Sequence, residues 1–253
     1  MGFTIPGVEA IYPFEILVGL GYVSNVMQEF KFGYNPDLAA GTREDVWDFG
    51  GEYTYSTTAD IDTISSSSAL DTQKVVLSGL DENYNLLTVY ATLNGQNKVT
   101  FSTPFLRLWR MVNIDNVDFA GSIYAYVDGD ITAGIPDVDN TIRAYIEDGN
   151  NQTLMLMYTI PKGYTGVVRR TFLSLGGRKT GFVTVKYWAR PYGMVFQVKG
   201  VTDLAAAGTS ATQSIFKSAL IFPEMTDFKV TALGDTLGLT MSGDADICLH
   251  RNI

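Results

Sequence analysis

The chain has 253 residues, 46% of them hydrophobic and 18% charged, with a net charge of -9 and a single Cys. That length holds two modest domains or one large β domain with a sizeable core. The acidic balance argues against a phosphate-backbone binder, which needs clustered Lys and Arg, and one Cys excludes an intrachain disulfide framework and any multi-Cys metal site.

Residues 1–50 show no clean period. The longest apolar stretch, IYPFEILVGLGYV (Ile11–Val23), contains Pro13 and Glu15 and falls short of the ~20 residues a spanning helix needs. It lacks the basic region and cleavage site of a secretory signal, and MGFTIP carries Pro6 where a myristoylation start wants Ser or Thr. No membrane association is expected. The mixture of apolar and small residues suits an extended N-terminal arm over residues 1–50, because exposed apolar surface usually marks a contact. Ile11, Tyr12, Phe14, Phe30, Phe32 and Tyr34 are the expected partner-contact residues.

Beyond residue 50 the grammar is strands and turns. TISSSSALDTQ (Thr63–Gln73) reads as a long Ser-rich loop. In the following segment Leu87, Val89, Ala91 and Leu93 fall on one face and Thr88, Tyr90 and Thr92 on the other, the period of a half-buried strand. Asn94-Gly95 suits a two-residue hairpin turn. With QKVVLSGL before it and QNKVTFS after it, the stretch predicts a three-stranded meander. Further strands are expected at 105–112, 121–127, 140–146, 153–160, 166–175, 181–190 and 194–200, then in SIFKSALIF, DFKVTAL, TLGLTM and ADICLH. TDLAAAGTSATQS reads as a loop, and the acidic stretch 127–140 as a joint between units. Short strands at this spacing, without a long amphipathic helix, indicate an all-β, antiparallel, jelly-roll-like sandwich. Three segments are expected: the arm (1–50), a small β-meander or sandwich unit (51–115) and a larger jelly-roll-like sandwich (116–253).

Chemistry is harder to find. Asp246, Cys248 and His250 share one face of a terminal strand. Neighbours on that face lie ~6.6 Å apart, too far for a nucleophile and base in contact. Asp128, Asp130, Asp137 and Asp139 occupy one loop, and oxygen-rich loops can hold Ca²⁺, but the EF-hand spacing fails at Thr132. Asp81, Glu82, Glu147 and Asp148, the carboxylates to weigh for glycoside hydrolysis, lie in turn-like sequence where acids are ordinary. Arg169 and Arg170 could meet an acidic partner, and Trp47, Trp109 and Trp188 could line a sugar platform or pack in a core. No P-loop, Rossmann fingerprint, nucleophile elbow or zinc spacing is present. No catalytic, cofactor-binding or metal residue is therefore assigned, and no enzymatic activity is expected.

The ordered set FKFGYNPDLAAGTREDVWDFGGEYTY (Phe30–Tyr55), VVLSGLDENYNLLTVYATLNG (Val75–Gly95), TPFLRLWRM (Thr103–Met111), NQTLMLMYTIPKGYTGVV (Asn151–Val168), WARPYGMVFQVKG (Trp188–Gly200) and FPEMTDFKVTA (Phe222–Ala232) resembles a family of uncharacterised virion structural proteins of marine tailed bacteriophages. The resemblance spans residues 30 to 250 and leaves the first 30 outside. It implies a particle component and fixes neither its location nor a binding residue; of the two placements, the capsid surface is expected over the tail. On that placement the chain is expected to be a decoration (cement) protein, a homotrimer, with the major capsid protein or other virion proteins as partners and no nucleic acid. The alternative is a tail-associated adaptor, fibre or receptor- or carbohydrate-contacting protein. No cofactor is implied.

Overall fold

A computed structural model describes residues 12–177, 179–206 and 210–252. Among the described residues it contains one short α-helix, α1 (Phe14–Gly19), a 3-10 turn at Asp139–Thr141 and a set of strands. In chain order these are β1 (Val26–Leu38), β2 (Arg43–Asp45), β3 (Ile61–Ser66), β4 (Lys74–Leu80), β5 (Leu86–Thr92), β6 (Val99–Phe105), β7 (Arg107–Asn113), β8 (Ile123–Val127), β9 (Ile131–Thr132), β10 (Ile135–Pro136), β11 (Ile142–Ile146), β12 (Met157–Thr159), β13 (Tyr164–Gly177), β14 (Gly181–Arg190), β15 (Gln197–Ala206), β16 (Ser210–Phe222), β17 (Asp227–Gly234) and β18 (Leu239–Arg251). Every pairing between them is antiparallel. Among the described residues no helix is long and apolar enough to cross a membrane.

Two sheets form the larger layer pair, with orders β1-β18-β13-β16 and β12-β17-β14-β15. Numbered among these strands alone, the orders are 1-8-3-6 and 2-7-4-5, the interleaved double Greek key of a jelly roll. The chain is all-β and sandwich-built, as its turn spacing predicts. Alternation explains why the sheets close on each other. Along β14, Val183, Val185, Tyr187 and Ala189 point inward and are buried, while Thr184, Lys186, Trp188 and Arg190 face out. Phe228 and Val230 stand beside them on β17, and Met241, Ala245 and Ile247 of β18 complete the core from the other sheet. Each buried Val, Ile, Met or Phe among them contributes about 1.5–3 kcal/mol.

The second strand of the jelly roll is broken. β2 pairs Arg43–Asp45 with Leu233–Thr231 of β17, and β12 continues along the same strand, pairing Met157–Thr159 with Lys229–Asp227. Between them Val46 N–H donates to Val230 O (3.0 Å), Leu156 N–H to Val46 O (2.9 Å) and Val230 N–H to Leu156 O (3.3 Å). The chain leaves the strand at Val46, builds a second β unit and re-enters at Leu156. Gly33 of β1 lies over this seam, where a Cβ would come 2.4 Å from both Val46 O and Leu156 N.

The inserted unit stacks the sheet β11-β8-β3-β6 on the sheet β5-β4-β7. Ile61, Ile64, Val75, Leu77, Phe105, Met111, Ile123 and Tyr126 fill its core. The expected boundary at 115/116 is corrected, because β8 and β11 belong to this unit: β8 pairs with β3 and β11 with β8. The acidic stretch 127–140 is not a joint between units either. It carries the β9–β10 hairpin, docked on β3 by Ser65 Oγ donating to Gly134 O at 2.7 Å.

Other local expectations are also corrected. Residues 26–38 are no arm, since β1 pairs with β18 from Val26 to Leu38. The Ser-rich stretch is a strand up to Ser66, with Thr63, Ser65 and Ser66 fully buried. Their hydroxyls are satisfied, Ser66 Oγ donating to Asp71 Oδ2 at 2.5 Å. The meander reads β5-β4-β7, not β4-β5-β6. Asn94-Gly95 instead sends the chain to the opposite sheet, tied down by Gly95 N–H donating to Asp71 O (2.7 Å) and Ser66 N–H to Gly95 O (3.1 Å). TDLAAAGTSATQS supplies the end of β15 and the start of β16.

Candidate functional site at the inter-unit cleft

β17 presents Phe228, Val230 and Ala232 to the core and Asp227, Lys229 and Thr231 to the other side. That other face is also buried, because the first residues of the insertion fold back over it. The charges placed there must be paired to be tolerated.

Asp227 is the hub. It accepts from Arg107 Nε at 2.9 Å and Nη2 at 3.3 Å, from Arg190 Nε at 2.9 Å and Nη2 at 2.5 Å, and from Thr159 Oγ1 at 2.6 Å. Arg107 stands on β7 of the inserted unit, whereas Arg190, Thr159 and Asp227 belong to the jelly roll. Arg107 Nη1 also donates to Ser56 O at 2.6 Å. Burial works against the Arg107 charge, but the Asp227 carboxylate outweighs it and holds the guanidinium above its ordinary value. Beside this pair, Lys229 Nζ donates to Asp45 Oδ2 at 3.0 Å. Burial nevertheless pushes the Asp45 carboxyl up, against the pull of Lys229.

Aromatic rings separate these charges. The Tyr55 centroid lies 5.1 Å from the Arg107 guanidinium carbon and 4.7 Å from that of Arg190, and Phe196 lies 4.5 Å from Arg190. Burial raises the Tyr55 phenol well above its usual range, and its buried hydroxyl has no hydrogen-bond partner among the described residues.

A cleft of about 380 Å³ opens over the hub, lined by Tyr55, Tyr84, Arg107, Arg190, Tyr192 and Met194 among others. Two turns frame it. One is the 81–85 turn of the inserted unit, where Asp81 Oδ1 accepts from the amides of Asn83 and Asn85, each at 2.8 Å. The other is the β14–β15 turn, closed by Met194 N–H donating to Pro191 O at 2.9 Å. Tyr84 and Tyr192 meet edge to face across the mouth at 5.8 Å. Tyr192, Met194 and Val195 are 65%, 62% and 76% exposed.

The residues expected to touch partners lie elsewhere. Ile11 falls outside the described residues. Tyr12 is half-buried, and Phe14 starts α1 with the Arg169 guanidinium 6.0 Å from its ring. Phe30, Phe32 and Tyr34 share the outer face of β1. There Phe32 aligns with Asp244 and Phe172, and Phe30 with Asp246 and Arg170, across three strands. Phe30 is 44% exposed and 5.8 Å from Phe32.

Asp246, Cys248 and His250 do share a face of β18, but each of the first two meets an arginine. Arg170 Nη2 pairs with Asp246 at 2.9 Å, and Arg169, itself paired with Glu15, reaches Cys248. Cys248 is buried, and burial pushes its thiol up despite Arg169. Asp128 pairs with Lys98 at 2.7 Å, and among the described residues no three metal-ligating side chains come together. Trp47 and Trp109 are core residues; Trp188 is half-buried and donates Nε1–H to Thr231 Oγ1 at 2.8 Å.

Sequence reasoning missed Arg107, Arg190, Asp227, Tyr84 and Tyr192. One signal was available, since Arg107 interrupts the apolar run FLRLWRMV, and a charge inside such a run implies a buried partner.

No family model matches the chain, and no curated protein matches it. Solved structures with partial likeness include the cowpea mosaic virus top component, a naturally occurring empty particle (9% identity, covering 76% of this chain and 84% of that one, TM-score 0.24). Others are the infectious bursal disease virus VP2 subviral particle (11%, 95% and 78%, TM-score 0.25) and the Gt strain of the same virus (10%, 96% and 83%, TM-score 0.23). At these TM-scores the likeness carries no argument about this chain.

Proposed function

We propose that this protein is a non-enzymatic structural component of a phage particle, a homotrimeric decoration subunit seated on the capsid surface. The observation that carries the reading is the outer face of the β1-β18-β13-β16 sheet. There Phe30, Phe32 and Tyr34 of β1 and Phe172 of β13 flank the strip Asp246, Asp244 and Ser242 of β18, with Asp246 paired to Arg170, and exposed aromatic rings beside a charged strip mark a contact surface. The ordered resemblance over residues 30–250 and the jelly-roll strand order add support, the latter by fold analogy alone. A tail-side, receptor-contacting role is the second reading, and the exposed Tyr192-Gly193-Met194-Val195 turn favours it.

The test is incorporation of Phe30→Asp and Phe172→Asp variants into particles. Both residues are more than a third exposed, so the subunit should fold while losing its place on the head. Normal incorporation of both variants would reject this face as the contact.

A further inference from the structure

We propose that the inter-unit cleft binds a carboxylated sugar, its carboxylate on Arg190 and its ring against Tyr192 and Tyr84. The charge pattern comes first. Two guanidiniums share one carboxylate, Asp227, which already accepts five hydrogen bonds from Arg107, Arg190 and Thr159. Among the described residues no other acidic side chain lines the cleft. One positive charge is thus left over in a half-enclosed site, and Arg190 Nη1 has no hydrogen-bond partner among the described residues. A planar guanidinium edge is suited to a carboxylate.

The walls supply the second part. Tyr84 and Tyr192 are rigid amphipathic rings held on turns of two different units, and Tyr192 leads an exposed apolar tip. Such rings stack on the C–H face of a pyranose at little entropic cost. Tyr55 lines the same cleft and stacks on the Arg190 guanidinium, which holds that group in place at the cleft floor. The volume, about 380 Å³, lies inside the roughly 300–1,000 Å³ of small-ligand sites, which favour boundaries between units. A long polyanion is disfavoured, because the chain as a whole carries a net charge of -9.

Saturation-transfer NMR and calorimetry with the full chain test this, using methyl β-glucuronide and N-acetylneuraminate against methyl β-glucoside, acetate and a tri-aspartate peptide. One acidic sugar should bind saturably, with the neutral glucoside and acetate about tenfold weaker or worse, as the loss of a charged hydrogen bond dictates. Tyr192→Ala should weaken the acidic sugar by a similar factor, and Arg190→Gln likewise. Phe182→Ala, exposed on a different part of β14, should leave binding unchanged. Tyr192 is exposed, so its variant keeps the test open even where Arg190→Gln disturbs folding. Failure of both acidic sugars to bind, equal binding of the neutral sugar, or tighter binding of tri-aspartate would each overturn the proposal.

Discussion

Arg107 and Asp227 stand 120 positions apart in the chain and meet at 2.9 Å, one from the inserted unit and the other from the jelly roll. The pair is buried, and Asp227 also serves Arg190. The hub therefore locks the two units together, and its members are not equivalent.

Asp227→Ala strands two guanidiniums, whereas Arg190→Ala leaves the Arg107–Asp227 pair intact. Breaking a buried pair costs about 3–5 kcal/mol, so Asp227→Ala should fall in that range and Arg190→Ala well below it. Urea unfolding of both variants checks the order. Equal losses would mean that the hub does not act as described.

Lys31 makes a pH prediction. Its side chain is buried with Nζ donating to Trp109 O at 2.8 Å. Burial lowers its amine to about 7, against the pull of Glu29 and with a push from Arg110. An unfolded lysine keeps its proton to about 10.4. Between those values the unfolded chain binds more protons than the folded one, so Lys31 makes stability rise with pH. Denaturant midpoints should climb from pH 7 to 9.5, and Lys31→Met should reduce the climb. An unchanged slope in the variant would remove Lys31 as its source.

Gly33 sits where the jelly-roll strand opens for the insertion. Alanine there places a Cβ 2.4 Å from two backbone atoms, and relieving such overpacking costs about 1–3 kcal/mol or more. Gly19→Ala, with open space around its Cβ position and a helical backbone, is the control and should be neutral or stabilising. A Gly33→Ala protein that melts with the control would show that the seam is loose.

These same positions explain what the sequence disclosed. Val183, Val185, Tyr187 and Ala189 alternate with polar neighbours and announce β14 directly. β1 was illegible because its inward positions hold Lys31, Gly33 and Asn35: a buried amine, a seam glycine and an amide that donates to Glu44 Oε2 at 3.0 Å. Polar and small residues facing inward erase the period on which strand reading depends. Ser65 and Ser66 misled in the same way, their hydroxyls being satisfied within the fold. The cleft was hidden for another reason. Tyr84, Arg107, Arg190 and Asp227 come from four separate stretches, and only the insertion brings them together.

The most direct measurement is the number of copies of this chain in purified intact particles, by quantitative mass spectrometry against the major capsid protein. A decoration subunit is present in numbers comparable with the shell protein itself. A count set by the low symmetry of a tail would contradict the capsid placement, and absence from the particle would contradict the structural role altogether.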